Sequence, residues 1–169
     1  DLASALEPDA KVPIKSLFIY NANPVIAAAD QTKLINNLSR EDLFTVVSEV
    51  FQTDTCEYAD ILLPATSQLE QLDLMYSWGH FNLQYNDQAI EPLGEAVSNT
   101  ELFRRLAEAM RFGSDIVKKN DEEIMASALD WQHPNLRGIT LAALRKQGFS
   151  RLNVGDPQTR TPHRYGCFP

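Results

Sequence analysis

Two short stretches place groups capable of binding chemistry where the sequence turns from apolar to polar: YNANP, which carries Asn23, and VVSEVF, which carries Ser48 and Glu49. Pro24 has no N–H and biases the residue before it toward an extended backbone, so Asn23 holds its amide beyond the apolar run that precedes it. An amide has two donors and an acceptor, a set that suits a purine edge or a ribose hydroxyl. The same dipeptide also makes an ordinary Asn-Pro turn. Glu49 follows Asn23 by 26 residues. In dinucleotide folds an acidic residue roughly 20 residues after the first turn accepts hydrogen bonds from ribose hydroxyls, and the position of Glu49 fits that role. If LFTVV and ILLP are neighbouring strands, Ser48 and Glu49 project from a strand end, where open α/β sheets hold ligands; otherwise they begin a polar loop. No G-x-G-x-x-G motif is present, so this stretch lacks a glycine cradle for a pyrophosphate and ordinary NAD binding is not expected.

A second polar cluster is TDT, residues 53–55, followed by Glu70-Gln71. Thr53 and Thr55 suit the amides of a helix start. Glu70, close to the top of a sheet, needs solvent or a partner. No Ser-His-Asp or Cys-His arrangement can be argued, and the two carboxylates show no sign of an acid/base pair. Cys56 and Cys167 stand far apart with no Cys-x-x-Cys, too few for a cluster or a structural zinc, and are expected to be reduced and unligated. His80, His133 and His163 lack a metal-ligand partner at i+3 or i+4, so no metal ligand is expected in this chain.

The elements that must position these groups follow from apolar periodicity. LFIY (17–20), LFTVV (43–47) and ILL (61–63) read as short buried strands. Between the first two, Asp30 reads as the N-cap of a helix with Leu34, Ile35 and Leu38 on one stripe. Strand, helix, strand predicts a parallel βαβ unit. Asp54 or Thr55 opens a single helical turn through Ala59, and SQLEQLDLM is expected to wind as a helix across the end of the third strand. From Ser98 the texture becomes helical: SNTELFRRLAEAM opens with a Ser98-to-Glu101 capping box, and further helices are predicted from Asn120 and from Thr140 to Gly148.

At 169 residues with a formal net charge of -8, the chain has no block of Lys or Arg, so neither nucleic acid nor an anionic membrane is an expected partner. No stretch reaches the roughly 18–20 apolar residues of a membrane helix, so no membrane insertion is expected. Asp1 opens a segment with no signal-peptide pattern.

Taken in order, FIYNANP, VVSEVFQTDTCEYADILLPATSQLE and GEAVSNTELFRRLAEAM resemble the molybdopterin oxidoreductase family, the dimethyl sulfoxide reductase, formate dehydrogenase and nitrate reductase type that binds two molybdopterin guanine dinucleotides. The resemblance covers about residues 15–150, and T-x-T-x-x-x-A-D-I-L-L-P-A-T-S-x-x-E is its most specific part. It implies that Asn23 lies against the cofactor's nucleoside, that Ser48 and Glu49 match a Ser-Asp pair on the same nucleotide, and that Gln71 and Asn99 stand at further cofactor contacts. Glu49 and Asn99 depart from the family's Asp: the first keeps the carboxylate, the second loses a charge.

The family's amino-terminal iron–sulfur Cys motif, its metal ligand and its carboxy-terminal pterin-gripping domain are not found in this sequence. The chain therefore reads as an internal cofactor-binding segment of a molybdenum or tungsten oxidoreductase. Its expected partners are the remaining domains of the same polypeptide and an electron-transfer subunit, and the parent is expected in the cytoplasm or, alternatively, the periplasm. The expected fold is α/β, a three-layer αβα Rossmann-like parallel sheet with a helical C-terminal extension. Residues 1–15 read as a linker or tail of a preceding element, 16–150 as the cofactor-binding segment, and 151–169 as an extended or disordered tail. Two rival readings are a nucleotide-binding domain of an unrelated transferase and a non-enzymatic interaction domain.

Overall fold

Short runs of β-formers separated by proline and acidic turns leave the chain few ways to bury its apolar residues. The structure, a computed structural model, describes residues 1–76 and 78–155. They divide into two units: Asp1–Ser67 with Pro92–Leu102, and Gln68–Glu91 with the chain from Phe103 onward.

In the first unit, α1 (Leu2–Ala5) precedes β1 (Ser16–Tyr20), α2 (Pro24–Ala27), α3 (Gln31–Leu38), β2 (Phe44–Glu49), a 3-10 turn (Asp54–Tyr58) and β3 (Ile61–Pro64). The strands form a parallel sheet in the order β1-β2-β3, with Tyr20 opposite Ser48, Ser48 opposite Leu63 and Glu49 opposite Pro64. The three apolar runs are thus adjacent parallel strands, as their pattern predicts. β2 runs two residues past the expected boundary, because Ser48 and Glu49 still pair with β3. Side chains alternate between the faces of a strand, and Leu17, Ile19 and Val47 pack with Val25, Leu34, Leu38, Leu43 and Cys56 on one of them. Leu34 and Leu6 are fully enclosed, and each side chain so buried stabilises by about 1.5–3 kcal/mol.

The other face carries Phe44 and Ile61, 48% and 43% exposed. On that same face Ser48, at the strand end, is enclosed, and the strand and helix order falls within the expected α/β class. Asp30 caps α3 as expected, its carboxylate accepting from Lys33 N–H at 3.4 Å. Asp42 takes two hydrogen bonds from Arg40, at 2.8 Å each, and pairs with Lys15, while Arg40 also reaches the Leu6 carbonyl at 2.7 Å. Past β3 the chain returns through Val97, which bridges Ala65 in parallel, and enters α4 (Asn99–Ala109) with the Ser98 hydroxyl accepting from Glu101 N–H.

In the second unit, β4 (Asp73–Tyr76), β5 (Asn82–Asn86) and β6 (Phe149–Arg151) form an antiparallel sheet in that order, covered by α5 (Asp121–Ala128) and α6 (Leu141–Gln147). Leu83 and Tyr85 of β5 pack with Met125, Leu136, Ile139 and Leu144. The helix bounds match their sequence signals: Asn120 and Glu123 make a reciprocal capping box, Thr140 caps α6, and Gly148 takes φ 82° at its end, a value that favours glycine. The helix expected across SQLEQLDLM is instead a 3-10 turn (Gln68–Glu70) followed by β4. Pairing with β5 and packing of Leu72 and Leu74 on this core outweigh the weak helical pattern. The expected tail is hydrogen-bonded where described, Leu152 N–H to Phe81 O at 2.7 Å and Asn153 N–H to Asn135 O at 2.8 Å. Residues 156–169, with Cys167 and His163, lie outside the described residues.

Candidate functional site

Three parallel strands end together, and the polar residues singled out in the sequence gather at that end. Asn21 follows β1 with φ 50°, a left-handed conformation that turns the chain across the strand tip, and its N–H donates to Ser48 O at 3.3 Å. Beyond β3, Ala65 N–H donates to Glu49 O at 3.2 Å, and Val97 bonds both Pro64 O (3.3 Å) and Thr66 N–H (3.2 Å). This ladder brings Asn99, two residues on, to the same edge as Asn23, Ser48 and Glu49.

Asn23 is half-buried and occupies the N-cap position of α2, yet its side chain makes no cap bond there. Its Oδ1 accepts from the Thr55 hydroxyl at 2.7 Å, and its Nδ2 makes a long 3.4 Å contact with Asp54 Oδ2. The amide is thereby tied to the 3-10 turn that follows β2. Ser48 is enclosed at 1% exposure, with no hydrogen-bond partner for its hydroxyl among the described residues. Glu49 is half-buried; one carboxylate oxygen accepts from Val50 N–H at 2.8 Å, and among the described residues the other takes no hydrogen bond. As consecutive strand residues, Ser48 and Glu49 point to opposite faces, so a ligand touching both must sit across the strand tip. Asn99 opens α4 with its Oδ1 enclosed and unpartnered among the described residues. A third such atom, Thr45 Oγ1, lies on β2 three residues before Ser48, on the other face.

Gln71 belongs to the second unit, where its carbonyl accepts from Asn86 Nδ2 at 2.8 Å. The structure thus brings four of the five sequence-selected residues to one edge and puts Gln71 in the other unit. Glu70 closes the Gln68–Glu70 turn of that same unit.

A feature that sequence reasoning missed lies on the turn after β2, a pocket of about 330 Å³ lined by Gln52, Thr53, Asp54, Cys56, Glu57 and Leu62. The signal was present in TDTCE: two carboxylates spaced three apart on one helical turn share a side. The edge therefore offers a carboxylate acceptor from Glu49 and an amide from Asn23, and the turn linked to it through the Asn23–Asp54 contact adds the carboxylates of Asp54 and Glu57. That set complements a neutral or cationic ligand rich in hydroxyl and amino groups better than a bare anion. Among the described residues no group of three His, Cys, Asp or Glu side chains is arranged to hold a metal ion, Cys56 is a free buried thiol, and no helix is long and apolar enough to cross a membrane.

Comparison with known proteins agrees with this architecture. A model of the family described as molybdopterin oxidoreductase matches residues 2–109. The chain is 46% identical over 146 residues to the probable oxidoreductase YoaE of Bacillus subtilis, a match covering 86% of this chain and 22% of that protein. It is 31% identical over 135 residues to the alpha subunit of an F420-dependent formate dehydrogenase of Methanocaldococcus jannaschii, covering 80% of this chain and 20% of that one. Among solved structures, acetylene hydratase from Pelobacter acetylenicus superposes with a TM-score of 0.71 at 24% identity, over 92% of this chain and 21% of that one, a likeness of fold. The chain spans about a fifth of the length of these relatives. With the family model covering both the parallel sheet and the return strand to Asn99, this chain belongs to the molybdopterin oxidoreductase family.

Proposed function

We propose that the C-terminal edge of the parallel sheet holds the guanosine end of a molybdopterin guanine dinucleotide, within a larger molybdenum or tungsten oxidoreductase completed by the rest of the polypeptide. The observation that carries this reading is the gathering of Asn23, Ser48, Glu49 and Asn99 at one strand edge, with Ser48 Oγ and Asn99 Oδ1 enclosed there without a partner among the described residues. Leaving a buried polar atom unpaired costs about 1–3 kcal/mol, so such atoms in a native protein call for a partner. A nucleoside, with its several hydroxyl and amino groups, fits the donor and acceptor set.

When bound, the cofactor supplies two-electron redox chemistry at its metal, the protein's share being binding and orientation. Glu49 would accept ribose hydroxyls through its uncommitted carboxylate oxygen, and Asn23 would contact the nucleoside through its amide. The iron–sulfur cluster, the metal ligand and the electron-transfer partner belong to this proposal as parts supplied outside these 169 residues.

The test is a series at Glu49 in the full-length parent, reading guanine nucleotide and metal per polypeptide together with the melting temperature. Glu49→Ala removes an acceptor of charge-assisted hydrogen bonds worth about 1.5–3 kcal/mol each and is expected to lower cofactor retention. Glu49→Asp is expected to be mild and Glu49→Lys worse than Ala. Unchanged occupancy in all three variants would mean that the residue only ends a strand.

A further inference from the structure

The reading of Asn23 as a nucleoside contact leaves open which of its amide atoms faces the ligand, and a buried hydroxyl answers that. Thr55 is completely enclosed. Its hydroxyl donates to Asn23 Oδ1 at 2.7 Å and accepts from the Val25 backbone N–H at 3.2 Å. With one proton to give, that hydroxyl has its donor capacity used by Asn23, and the amide oxygen of Asn23 is held inward. The Nδ2 group is turned the other way, toward the Asp54 carboxylate, which lines the pocket on the turn after β2.

We infer that Thr55 is a positioning residue, which locks the Asn23 amide so that it presents only N–H donors, and that the atom Asn23 recognises is therefore a hydrogen-bond acceptor of the ligand. Purine ring nitrogens, carbonyl oxygens and phosphate oxygens qualify; a ligand donor does not. The inference rests on the proposed nucleoside site and sharpens it, because a free amide recognises either kind of atom by flipping. Three elements take part in the lock: the segment leading out of β1, the first turn of α2 and the 3-10 turn after β2. Thr55 therefore sets an orientation without touching the ligand.

Four variants of the full-length parent test it, each assayed for guanine nucleotide retained per polypeptide after gel filtration and for melting temperature. Thr55→Val keeps the shape and removes the hydroxyl; it is expected to weaken retention about fivefold to tenfold, the scale of one oriented hydrogen bond. Thr55→Ser restores the hydroxyl and is expected to retain nucleotide as the parent does. Asn23→Asp keeps an oxygen for Thr55 but replaces the donor with an acceptor, and is expected to lose nucleotide at least as fully as Asn23→Ala. If Thr55→Val lowers the melting temperature yet keeps full occupancy while Asn23→Ala loses it, the positioning role is overturned and the nucleoside site stands. Full retention in Asn23→Ala would overturn the site itself, and the positioning role with it. Retention in Asn23→Asp would overturn the donor-only orientation.

Discussion

The two units satisfy their polar groups in different ways. In the second, local partners close the account: Asn120 and Glu123 cap α5 reciprocally, Trp131 Nε1 donates to Ala126 O at 2.8 Å, and Asn86 Nδ2 lies 2.8 Å from each of two carbonyl oxygens, Gln68 O and Gln71 O. In the first, three side-chain atoms are enclosed without a partner among the described residues: Thr45 Oγ1, Ser48 Oγ and Asn99 Oδ1. Two of those three stand at the strand edge where open α/β sheets take their ligands. An antiparallel sheet under helices can be complete in itself, whereas a parallel sheet gathers its strand ends on one side and leaves them to be completed by something else.

The largest effect should come from the second core. Leu144 has no exposed surface and packs with Leu83, Met125 and Leu136, so Leu144→Ala is expected to cost about 2–5 kcal/mol. Hydrogen exchange should show the loss in β5, α5 and α6, with the amides of β1–β3 keeping their protection. Equal loss in both sheets would mean that the two units unfold together.

Ser48→Ala sharpens the contrast because its sign should depend on the cofactor. Without cofactor, deleting an unpartnered buried hydroxyl is expected to leave stability unchanged or raise it by about 1 kcal/mol. With cofactor, retention should fall, because the atom then has a partner to lose. Thermal melts of the parent with and without bound cofactor check both halves, and a fall in stability without cofactor would show that the hydroxyl is already paired.

The smallest effect concerns pH in the second unit. Burial holds the Asp73 carboxyl above the usual carboxylate range, opposed by a hydrogen bond from Leu74 N–H and reinforced by Asp121 nearby. A carboxyl with a raised folded-state pKa favours the protonated fold, so stability declines as pH rises from the unfolded value, about 3.9, through the folded one. Asp73→Asn, which preserves the acceptor for Leu74, should match the parent in acid and melt slightly higher at neutral pH. The opposite case lies in the first unit. Arg40, then Lys15, hold the Asp42 carboxyl well below its ordinary range, so its contribution is present above the unfolded pKa and fades as pH falls toward the folded one. Melting temperature against pH for Asp73→Asn and the parent checks the first sign; parallel curves would refute it.

Much of the architecture was legible because its causes are local. LFIY, LFTVV and ILL announced the parallel strands, and Asp30, Asn120, Thr140 and Gly148 marked helix ends through bonds that span only a few residues. The hairpin of β4 and β5 was overlooked although N-L-Q-Y-N alternates and Gly79 sits in the turn with φ 90°. SQLEQLDLM, expected as a helix, forms a turn and β4 instead. The family likeness pointed to five candidate residues, of which the structure brings Asn23, Ser48, Glu49 and Asn99 to one edge and puts Gln71 in the other unit.

Composition, the βαβ order of the first three strands and the caps of α3, α5 and α6 were determined by the sequence alone, since each depends on residue types within a short window, and the family likeness by three such stretches in their order. Only the tertiary structure decided that β6 adds to β5 from more than sixty residues away, that Ser48 and Glu49 end the same strand on opposite faces, and that Asn23 spends its amide oxygen on Thr55. The reason is the range of the forces involved. Capping and propensity act over a turn of chain, but the orientation of a side chain at a sheet edge is set by whichever distant segment burial brings against it, and Thr55 reaches Asn23 only once the strands have paired.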